Sequence, residues 1–468
     1  MCIRDRVRTE GETMRILDFF RDDTMFYVKL RRLVLPLAFQ QFMLAAVSAS
    51  DALMLGVLSQ DSLSAVSLAG QITFIFNLFM GGFTTGMSIL AAQYYGKGDQ
   101  VSLEKIFAYV LRISALVSAM FCLAALFLPQ QLMRLFTSDP VLIRGGADYL
   151  RVVAASYLFT GISQIYLCML KNTGAAILST IISSTVVVLN IILNAVLIYG
   201  IGPVPRMGIA GAALATTLSK LLELVWAYAA SIPEGRVRLR MKYLFGSAGV
   251  LAKDYWKYSA PMFADNLVWG IGFSMYSVIM GHLGNDAVAA NSIANIVKNL
   301  IVCFCSGLAN GGGILVGNEL GKGELEQARR YGDLLFWLSI LGGILSGCVL
   351  LLCRPVILHF VNLSPAAAGD LKWMLLLCVF YMVGKSFNMM TIAGIFPAGG
   401  DSKFGLICDI INMWFVILPC AFLAAFVLKL PVIAVFFVIN LDEVTKLWAV
   451  ILHYRKYGWV KNLTRMEA

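Results

Sequence analysis

Charged residues are scarce in this chain: only 14% of its 468 residues are Asp, Glu, Lys or Arg. Its three histidines, His282, His359 and His453, lie far apart, and no two of its ten cysteines have the C-x-x-C spacing of a metal or thiol site. A metalloenzyme needs such residues in a cluster. The sequence therefore predicts no cofactor and no enzymatic activity.

Hydrophobic residues, by contrast, make up 59% of the chain, and the mean hydropathy is +0.79, which is outside the range of soluble domains. A transmembrane helix needs about 20 mainly apolar residues. Twelve segments meet this requirement, six in each half of the chain: 33–57, 64–92, 106–128, 149–170, 175–199, 208–231, 258–282, 288–317, 333–353, 371–394, 404–427 and 431–453. We expect an all-α integral membrane protein.

The two halves of the chain repeat each other. Stretches that open at Pro36 and Pro261 end in the same tripeptide, at Gly96-Lys97-Gly98 and Gly321-Lys322-Gly323, and the offset in sequence number between matched positions is constant throughout. The match resumes near the end of each half, at Gly174 and Gly400, with nearly the same offset. The chain therefore consists of two repeats of one six-helix unit, an arrangement typical of transporters that rock one half against the other.

Lysine and arginine are distributed unevenly between the two sets of alternating loops and tails, with 25 in one set and six in the other. Because cytoplasmic loops retain positive charge, both termini are predicted to be cytoplasmic and the two halves to be parallel repeats. The net charge of +10 then follows from topology and needs no nucleic acid partner. The predicted regions are a tail at 1–32, a first lobe at 33–231, a cytoplasmic linker at 232–257, a second lobe at 258–453 and a tail at 454–468. Residues 1–13 are polar and without pattern, and Met14 is an alternative start.

Ionisable residues inside apolar segments are costly and usually face an aqueous cavity. Asp51 lies in the middle of helix 1 with no basic residue within one helical turn, so it is either protonated or holds a cation; a packing hydrogen bond is the alternative. Asn190 and Asn194 share one face of helix 5 and could face Asp51, or could simply bond neighbouring helices. In helix 6, Lys220 and Glu223 are spaced to neutralise each other.

The second half has more polar residues in its helices. They would line an interior, in which lysines and aspartates form two buried pairs that serve either architecture or a substrate or proton: Asp265, Asn266, Lys298, Asn299, Lys385, Asn388, Asp409 and Asn412.

Several motifs, in order, resemble the multidrug and toxic compound extrusion (MATE) family over roughly residues 30–465. The motifs are Asp51-Ala52-Leu53-Met54-Leu55-Gly56, Gln71-Ile72-Thr73-Phe74, Gly86-Met87-Ser88-Ile89, Gln93-Tyr94-Tyr95-Gly96-Lys97-Gly98-Asp99, Leu189-Asn190-Ile191-Ile192-Leu193-Asn194, Gly208-Ile209-Ala210-Gly211, Asn266-Leu267-Val268-Trp269-Gly270 and Ala398-Gly399-Gly400-Asp401. The chain departs from the pattern at Asn194, where some members carry aspartate, and at Phe396-Pro397, where many carry arginine.

The resemblance implies two six-helix lobes around a V-shaped central cavity in the inner membrane of a bacterium. It implies a monomer that exports amphipathic, often cationic compounds in exchange for protons or sodium ions. Asp51, with Asn190, Asn194 and Thr217, matches the cation-coupling region, and a sodium ion is one candidate for Asp51. The substrate cavity is expected to be lined by Gln71, Asp265, Asn266, Trp269, Lys298, Lys385, Asp409 and Asn412.

Two other functions remain as alternatives. A lipid-linked oligosaccharide flippase of similar architecture would need more basic residues along its cavity, for which Lys220, Lys298 and Lys385 are the candidates. A membrane-embedded enzyme would need a clustered constellation that the sequence does not offer. Neither the substrate nor the choice between proton and sodium follows from the sequence.

Overall fold

The computed structural model describes residues 24–58, 60–200, 205–246, 249–361 and 363–465, and this part of the chain is helical without strands. Most of the predicted N-terminal tail, including Met14, and residues 247–248 of the predicted linker lie outside the described residues. The first lobe comprises α1 Thr24–Leu58, α2 Gln60–Lys97, α3 Gln100–Phe127, α4 Pro140–Asn172, α5 Ala176–Tyr199 and α6 Ile209–Ser231.

The second lobe repeats this order. It comprises α7 Val250–Gly281, α8 Asn285–Lys322, α9 Leu325–Phe360, α10 Pro365–Ala398, α11 Ser402–Val427, and α12, which consists of the segments Val432–Asn440, Asp442–Thr445 and Leu447–Tyr454. Short helices at Pro129–Arg134 and Met241–Leu244 lie between the long ones. The prediction of an all-α membrane fold with six helices in each half is confirmed.

Ten of these helices are long and apolar enough, within the described residues, to cross a membrane by themselves. The other two are α7, which carries Lys253, Asp254, Lys257 and Asp265, and the broken α12. Large apolar side chains such as Leu116, Phe127 and Phe415 are more than 60% exposed on the outer surface, as expected where lipid is the solvent.

Helix α1 begins at Thr24, ahead of the predicted apolar segment and inside the predicted tail. The extension is held by packing rather than by lipid. Phe26 and Leu30 are buried in a cluster with Tyr331 and other residues of the second lobe, and the Phe26 and Tyr331 rings lie 4.9 Å apart. The part of α1 that precedes the predicted apolar segment 33–57 is therefore helical, although it contains polar residues.

The two lobes meet through contacts that obey the sequence repeat. In α1 and α8, Val34 packs on Gly311 and Ala38 on Gly307; in α7 and α2, Ser259 packs on Gly86 and Phe263 on Gly82. Ser259 and Phe263 are the repeat equivalents of Val34 and Ala38, at the same offset as Pro36 and Pro261. Gly86 and Gly82 are likewise the equivalents of Gly311 and Gly307. A Cβ atom at any of these glycines would meet the opposite helix at or inside contact distance. The glycines therefore allow two long helices to approach closely on both sides of a pseudo-twofold axis.

The axis passes through the crossing of α2 and α8. Here Ala92 contacts Gly317, which is its own repeat equivalent, and Gly96 packs on Asn318 just as Gly321 packs on Gln93. At this end of the molecule the apolar clusters join the lobes, through Phe26, Leu30 and Val34 of α1 in one cluster and Tyr255 of α7 in another, whereas the clusters around Tyr276 and Ile198 belong to one lobe each. The lobes are thus closed at one end of the molecule and diverge toward the other, which matches the expected V shape.

The C-terminal segment 455–465 lies across the closed end. Its Trp459 is fully buried against Gly332 and Gly399 of the second lobe. The main-chain N–H of Leu463 donates to Oε1 of the buried Gln93 at 2.6 Å, and Arg465 pairs with Asp254 through two hydrogen bonds of 2.6 and 2.8 Å. The Asp254 carboxylate raises the pKa of the Arg465 guanidinium. The segment therefore fastens helices of both lobes.

Candidate functional site

The carboxylate of Asp51 lies half-buried inside the first lobe, against α5. Asn194 donates from Nδ2 to Asp51 Oδ1 at 2.6 Å and also to Asn190 Oδ1 at 3.2 Å. Asn190 and Asn194 are 7% and 1% exposed, and Asn194 Oδ1 has no hydrogen-bond partner in the described part of the chain. The structure thus brings together three of the four predicted coupling residues, and leaves a buried acceptor oxygen beside the carboxylate.

Two predicted residues lie apart from this group. The Thr217 hydroxyl donates to the carbonyls of Val152 and Ala213, at 3.0 and 2.9 Å, rather than to Asp51. Gln71 is exposed on α2 and is absent from the lining of the second-lobe cavities described below. A hydroxyl in a helix commonly bonds the carbonyl four residues earlier, which is why the sequence position alone could not place Thr217.

The predicted pairing of Lys220 with Glu223 is present in α6, where Nζ and Oε2 are 2.7 Å apart. Glu223 is buried and also accepts from Ser163 Oγ at 2.8 Å and Gln164 Nε2 at 3.4 Å. These contacts cross from α6 to α4, so the pair ties helices together within the first lobe.

A larger network of charges is buried in the second lobe. Lys385 Nζ lies 2.9 Å from Glu443, and Lys446 Nζ lies 3.0 Å from Asp409 and 3.4 Å from Glu443. The two buried pairs were expected to join lysines and aspartates of the predicted set, but each pair has one partner from α12. Asp265 lies beside this network, and its Oδ1 is buried without a hydrogen-bond partner among the described residues.

Amide side chains hold the acidic residues of α12 in place. Asn388 donates from Nδ2 to Glu443 Oε2 at 2.8 Å, and Asn412 donates to Asp442 Oδ1 at 2.6 Å. Asn412 is 7% exposed and lies behind the network rather than on a cavity wall, so its predicted cavity role is replaced by support of Asp442. The break in α12 at Leu441 sets Asp442 and Glu443 at the start of a new turn.

Two adjoining cavities open onto this network. One, of about 220 Å³, is lined by Asp265, Asn266, Trp269, Lys385 and Asp409, with Asn388, Glu443 and Lys446 among others. The other, of about 260 Å³, shares Trp269, Lys385, Met389 and Glu443 with the first and extends to Lys298, Tyr276, Tyr381 and Phe436. Five of the eight residues predicted for the substrate cavity line the first, and Lys298 lines the second.

Three residues of this site were missed by sequence reasoning: Asp442, Glu443 and Lys446. Their signal was present, because acidic residues three and four positions before a lysine lie on one helical face, inside the segment 431–453 already predicted to span the membrane. Among the described residues, no group of three His, Cys, Asp or Glu side chains could hold a metal ion.

The family model MatE matches residues 36–196 and 261–439, two blocks whose starts have the offset of the repeat. The chain belongs to the MatE family. As a member of this family of membrane transporters, it is similar to the multidrug resistance protein NorM of Burkholderia vietnamiensis, with 27% identity over 85% of this chain and 87% of NorM. It is also similar to the multidrug and toxin extrusion protein 1 of Xenopus tropicalis, with 24% identity over 92% of this chain and 74% of that protein.

Solved MATE structures have the same fold. A MATE multidrug resistance transporter in an outward-facing conformation superposes with a TM-score of 0.84, covering 92% of this chain and 95% of its own at 19% identity. A MOP superfamily transporter from Pyrococcus furiosus gives a TM-score of 0.83, covering 95% and 98% of the two chains at 20% identity. The twelve helices of the MatE chain therefore have the arrangement of this fold.

Proposed function

We propose that this MatE chain is a secondary active exporter of amphipathic small molecules, driven by inward movement of protons or sodium ions through the first lobe. It works as a monomer in the inner membrane of a bacterium, with both termini cytoplasmic, and needs neither a cofactor nor nucleic acid. The multidrug names of its relatives support the export of drug-like compounds.

The observation that carries this proposal is the Asp51 site. A carboxylate inside a membrane helix is expensive unless it takes up a proton or a cation. Its neighbours are the Asn194 amide at 2.6 Å and the Asn190 amide behind it, and the buried Oδ1 of Asn194 has no partner among the described residues. Carboxylate and amide oxygens suit a sodium ion, and the carboxylate alone suits a proton.

Helix α1 connects this site to the interface between the lobes. The adjacent residues Gln40 and Gln41 face different lobes: Gln40 donates to Ser183 of α5 at 2.7 Å, and Gln41 to Ser306 of α8 at 3.0 Å. Further down, Lys29 pairs with Glu319 of α8 at 3.1 Å. Occupation of Asp51 changes how α1 packs on α5, and so biases the contact of α1 with the second lobe.

The inward-moving ion sets the direction of transport, and the sidedness sets which face this state opens to. The closed end of the V contains the start of α1 and the C-terminal segment, so with cytoplasmic termini the cavity opens outward. Export then consists of substrate release from this state, cation binding at Asp51, and return to a state open to the cytoplasm.

The flippase alternative receives less support. A lipid diphosphate carries several negative charges and needs several unpaired cations. Of the three lysines that kept this alternative open, Lys220 is paired with Glu223 and Lys385 with Glu443, which leaves Lys298.

The test is ethidium efflux from vesicles that contain the purified protein, under a proton gradient and a sodium gradient imposed separately. Asp51→Asn keeps the size and hydrogen bonding of the side chain but cannot gain or lose charge, so we expect gradient-driven efflux to fall to the rate measured without a gradient. The matched control is Asp148→Asn, an exposed carboxylate paired with Arg151 at 3.4 Å, which should retain wild-type efflux. Wild-type efflux by Asp51→Asn under both gradients would contradict the proposal.

A further inference from the structure

A lysine without a carboxylate partner faces the larger cavity of the second lobe. Lys298 of α8 lines the 260 Å³ cavity, and the ion pairs of the described residues there join Lys385 and Lys446 to Glu443, Asp409 and Asp442 without including it. Its described contact is with the face of Tyr381, 4.7 Å from Nζ to the ring centroid. A ring face replaces only part of the hydration that an ammonium group loses on burial.

The acidic residues that line the same cavity, unlike Lys298, have polar side-chain partners. Glu443 accepts from Lys385 and Asn388 at 2.9 and 2.8 Å, and Asp442 accepts from Asn412 at 2.6 Å. Asp265, which has an unpartnered oxygen, lines the adjoining cavity of 220 Å³ and not this one. Of the charged residues that line the larger cavity, Lys298 is the one that no ion pair of the described residues includes.

The repeat indicates that packing does not require a lysine at this position. Thr73 of α2 is the repeat equivalent of Lys298, at the same offset as Pro36 and Pro261. In the first lobe Thr73 Oγ1 is hydrogen-bonded to the hydroxyl of Tyr157 of α4 at 3.0 Å, while in the second lobe Lys298 lies over Tyr381 of α10. A hydrogen-bonded pair of neutral side chains in the first lobe thus corresponds to a lysine that faces a cavity in the second lobe.

The surroundings of Lys298 suit a ligand with an aromatic body and an oxygen-rich head. Asn291, Asn295 and Asn299 form a stripe of amides on the same face of α8, at spacings of four residues, and all three line the cavity. The other walls are largely apolar: Phe74, Trp269, Phe273, Tyr276, Tyr381, Phe436 and Ile439. Amide and ammonium donors on one wall, opposite aromatic surface, form the usual design of a small-molecule site.

We propose that this cavity binds amphipathic organic monoanions, such as aromatic carboxylates or sulfonates, with the acidic group on Lys298 and the asparagine stripe. The proposal rests on the exporter function, and it gives that function a substrate class of a sign opposite to the cationic compounds that the family resemblance implies.

The test compares three pyrene compounds that differ only in head group: pyrenebutyrate, its neutral amide, and pyrenebutyl-trimethylammonium. Binding to the full-length protein in nanodiscs is followed by energy transfer from tryptophan to pyrene and corrected with empty nanodiscs. We expect the acid to bind at least about tenfold more tightly than the amide, as charge-assisted hydrogen bonds give. Lys298→Met should abolish this preference, Lys298→Arg should retain it, and Thr73→Val, at the equivalent position of the first lobe, should leave it unchanged.

Equal binding of acid and amide by the wild-type protein would overturn the proposal, and so would an unchanged preference in Lys298→Met. Tighter binding of farnesyl diphosphate than of pyrenebutyrate, measured by its displacement of bound pyrenebutyrate, would also overturn the proposal, in favour of a lipid diphosphate. Because binding needs no gradient, ethidium efflux on the same variants separates the two proposals. Efflux without an acid preference contradicts this inference alone, and an acid preference without gradient-driven efflux contradicts the exporter function alone.

Discussion

At the scale of single residues, Glu443 is the centre of the second-lobe network. Its side chain is 2% exposed and lies within 3.4 Å of the ammonium groups of both Lys385 and Lys446. Neutralising one partner of a buried ion pair leaves the other charge uncompensated, at a cost of about 3–5 kcal/mol. Removal of one member of the network is therefore expected to destabilise the fold.

We expect Glu443→Gln to lower the midpoint of thermal unfolding by several degrees, measured as loss of the monodisperse peak on size-exclusion chromatography after heating. Glu324→Gln, an exposed residue in the turn before α9, is the control and should unfold at the wild-type temperature. An unchanged midpoint for Glu443→Gln would show that water or lipid compensates the two lysines.

The residues that the sequence predicted best are those whose partners lie one helical turn away, and those with few polar groups available in their lobe. The four-residue spacing of Asn190 and Asn194 gave them one face, and Asp51 had no closer group to bond. The partners of Lys385 and Asp409 were not predictable in the same way. Several acidic and basic residues were available at similar depths, and the choice of Glu443 and Lys446 depends on where the broken α12 packs.

At the scale of helices, the closed end depends on the approach of α1 to α8 and of α2 to α7. Gly86 is the sharpest example, because a Cβ atom there would overlap the side chain of Ser259. Gly70, in the same helix α2, has no atom within 4 Å of the Cβ position. The two glycines therefore offer the same substitution with and without a steric consequence for the interface.

We expect Gly86→Ala to disfavour the closed contact and to shift the population toward a state open at this end. A cysteine at Asn310, which lines a cavity of about 70 Å³ between the lobes, reports the change in a chain without native cysteines. Its reaction with a thiol reagent supplied from the side of the closed end should become several-fold faster in Gly86→Ala and stay unchanged in Gly70→Ala. Equal rates in all three chains would show that this contact does not set the state.

The C-terminal segment follows the last apolar segment and is predicted to be a tail, yet it substitutes for a missing symmetric contact. Lys29 of α1 pairs with Glu319 of α8, and the equivalent positions in the other lobe are Asp254 and Tyr94, which cannot form an ion pair. Arg465 binds Asp254 instead, and its carbonyl accepts from Lys97 at 2.6 Å. Composition revealed no partner for this segment, because several of its hydrogen bonds are made by its own main-chain groups, to the side chains of Gln93 and Lys97.

At the scale of the whole molecule, the orientation in the membrane is the prediction with the widest consequences, because it decides whether the cavity opens outward. The structure places Ser138, between α3 and α4, and Glu234, after α6, in exposed segments. With 25 basic residues on one side and six on the other, Glu234 should be cytoplasmic and Ser138 external.

Single cysteines at these two positions, in a chain without native cysteines, test this orientation in intact cells. An impermeant maleimide should label the cysteine at Ser138, while only a permeant reagent should label the one at Glu234. The opposite labelling pattern would contradict the predicted orientation, and the cavity of this state would then open to the cytoplasm.

At the crossing of α2 and α8, a contact between two residues is repeated on the other side of the axis by their repeat equivalents. An interface of this kind is isologous, as in symmetric homodimers, so a single six-helix half contains both surfaces needed to pair with a copy of itself. Joining two halves in one gene removes the need for them to remain identical. Away from the axis they have diverged: Asp51 corresponds to Tyr276, and Thr73 to Lys298. Duplication thus retained the crossing contacts twice and left each lobe free to acquire its own polar residues, a carboxylate at Asp51 in the first and an ammonium group at Lys298 in the second.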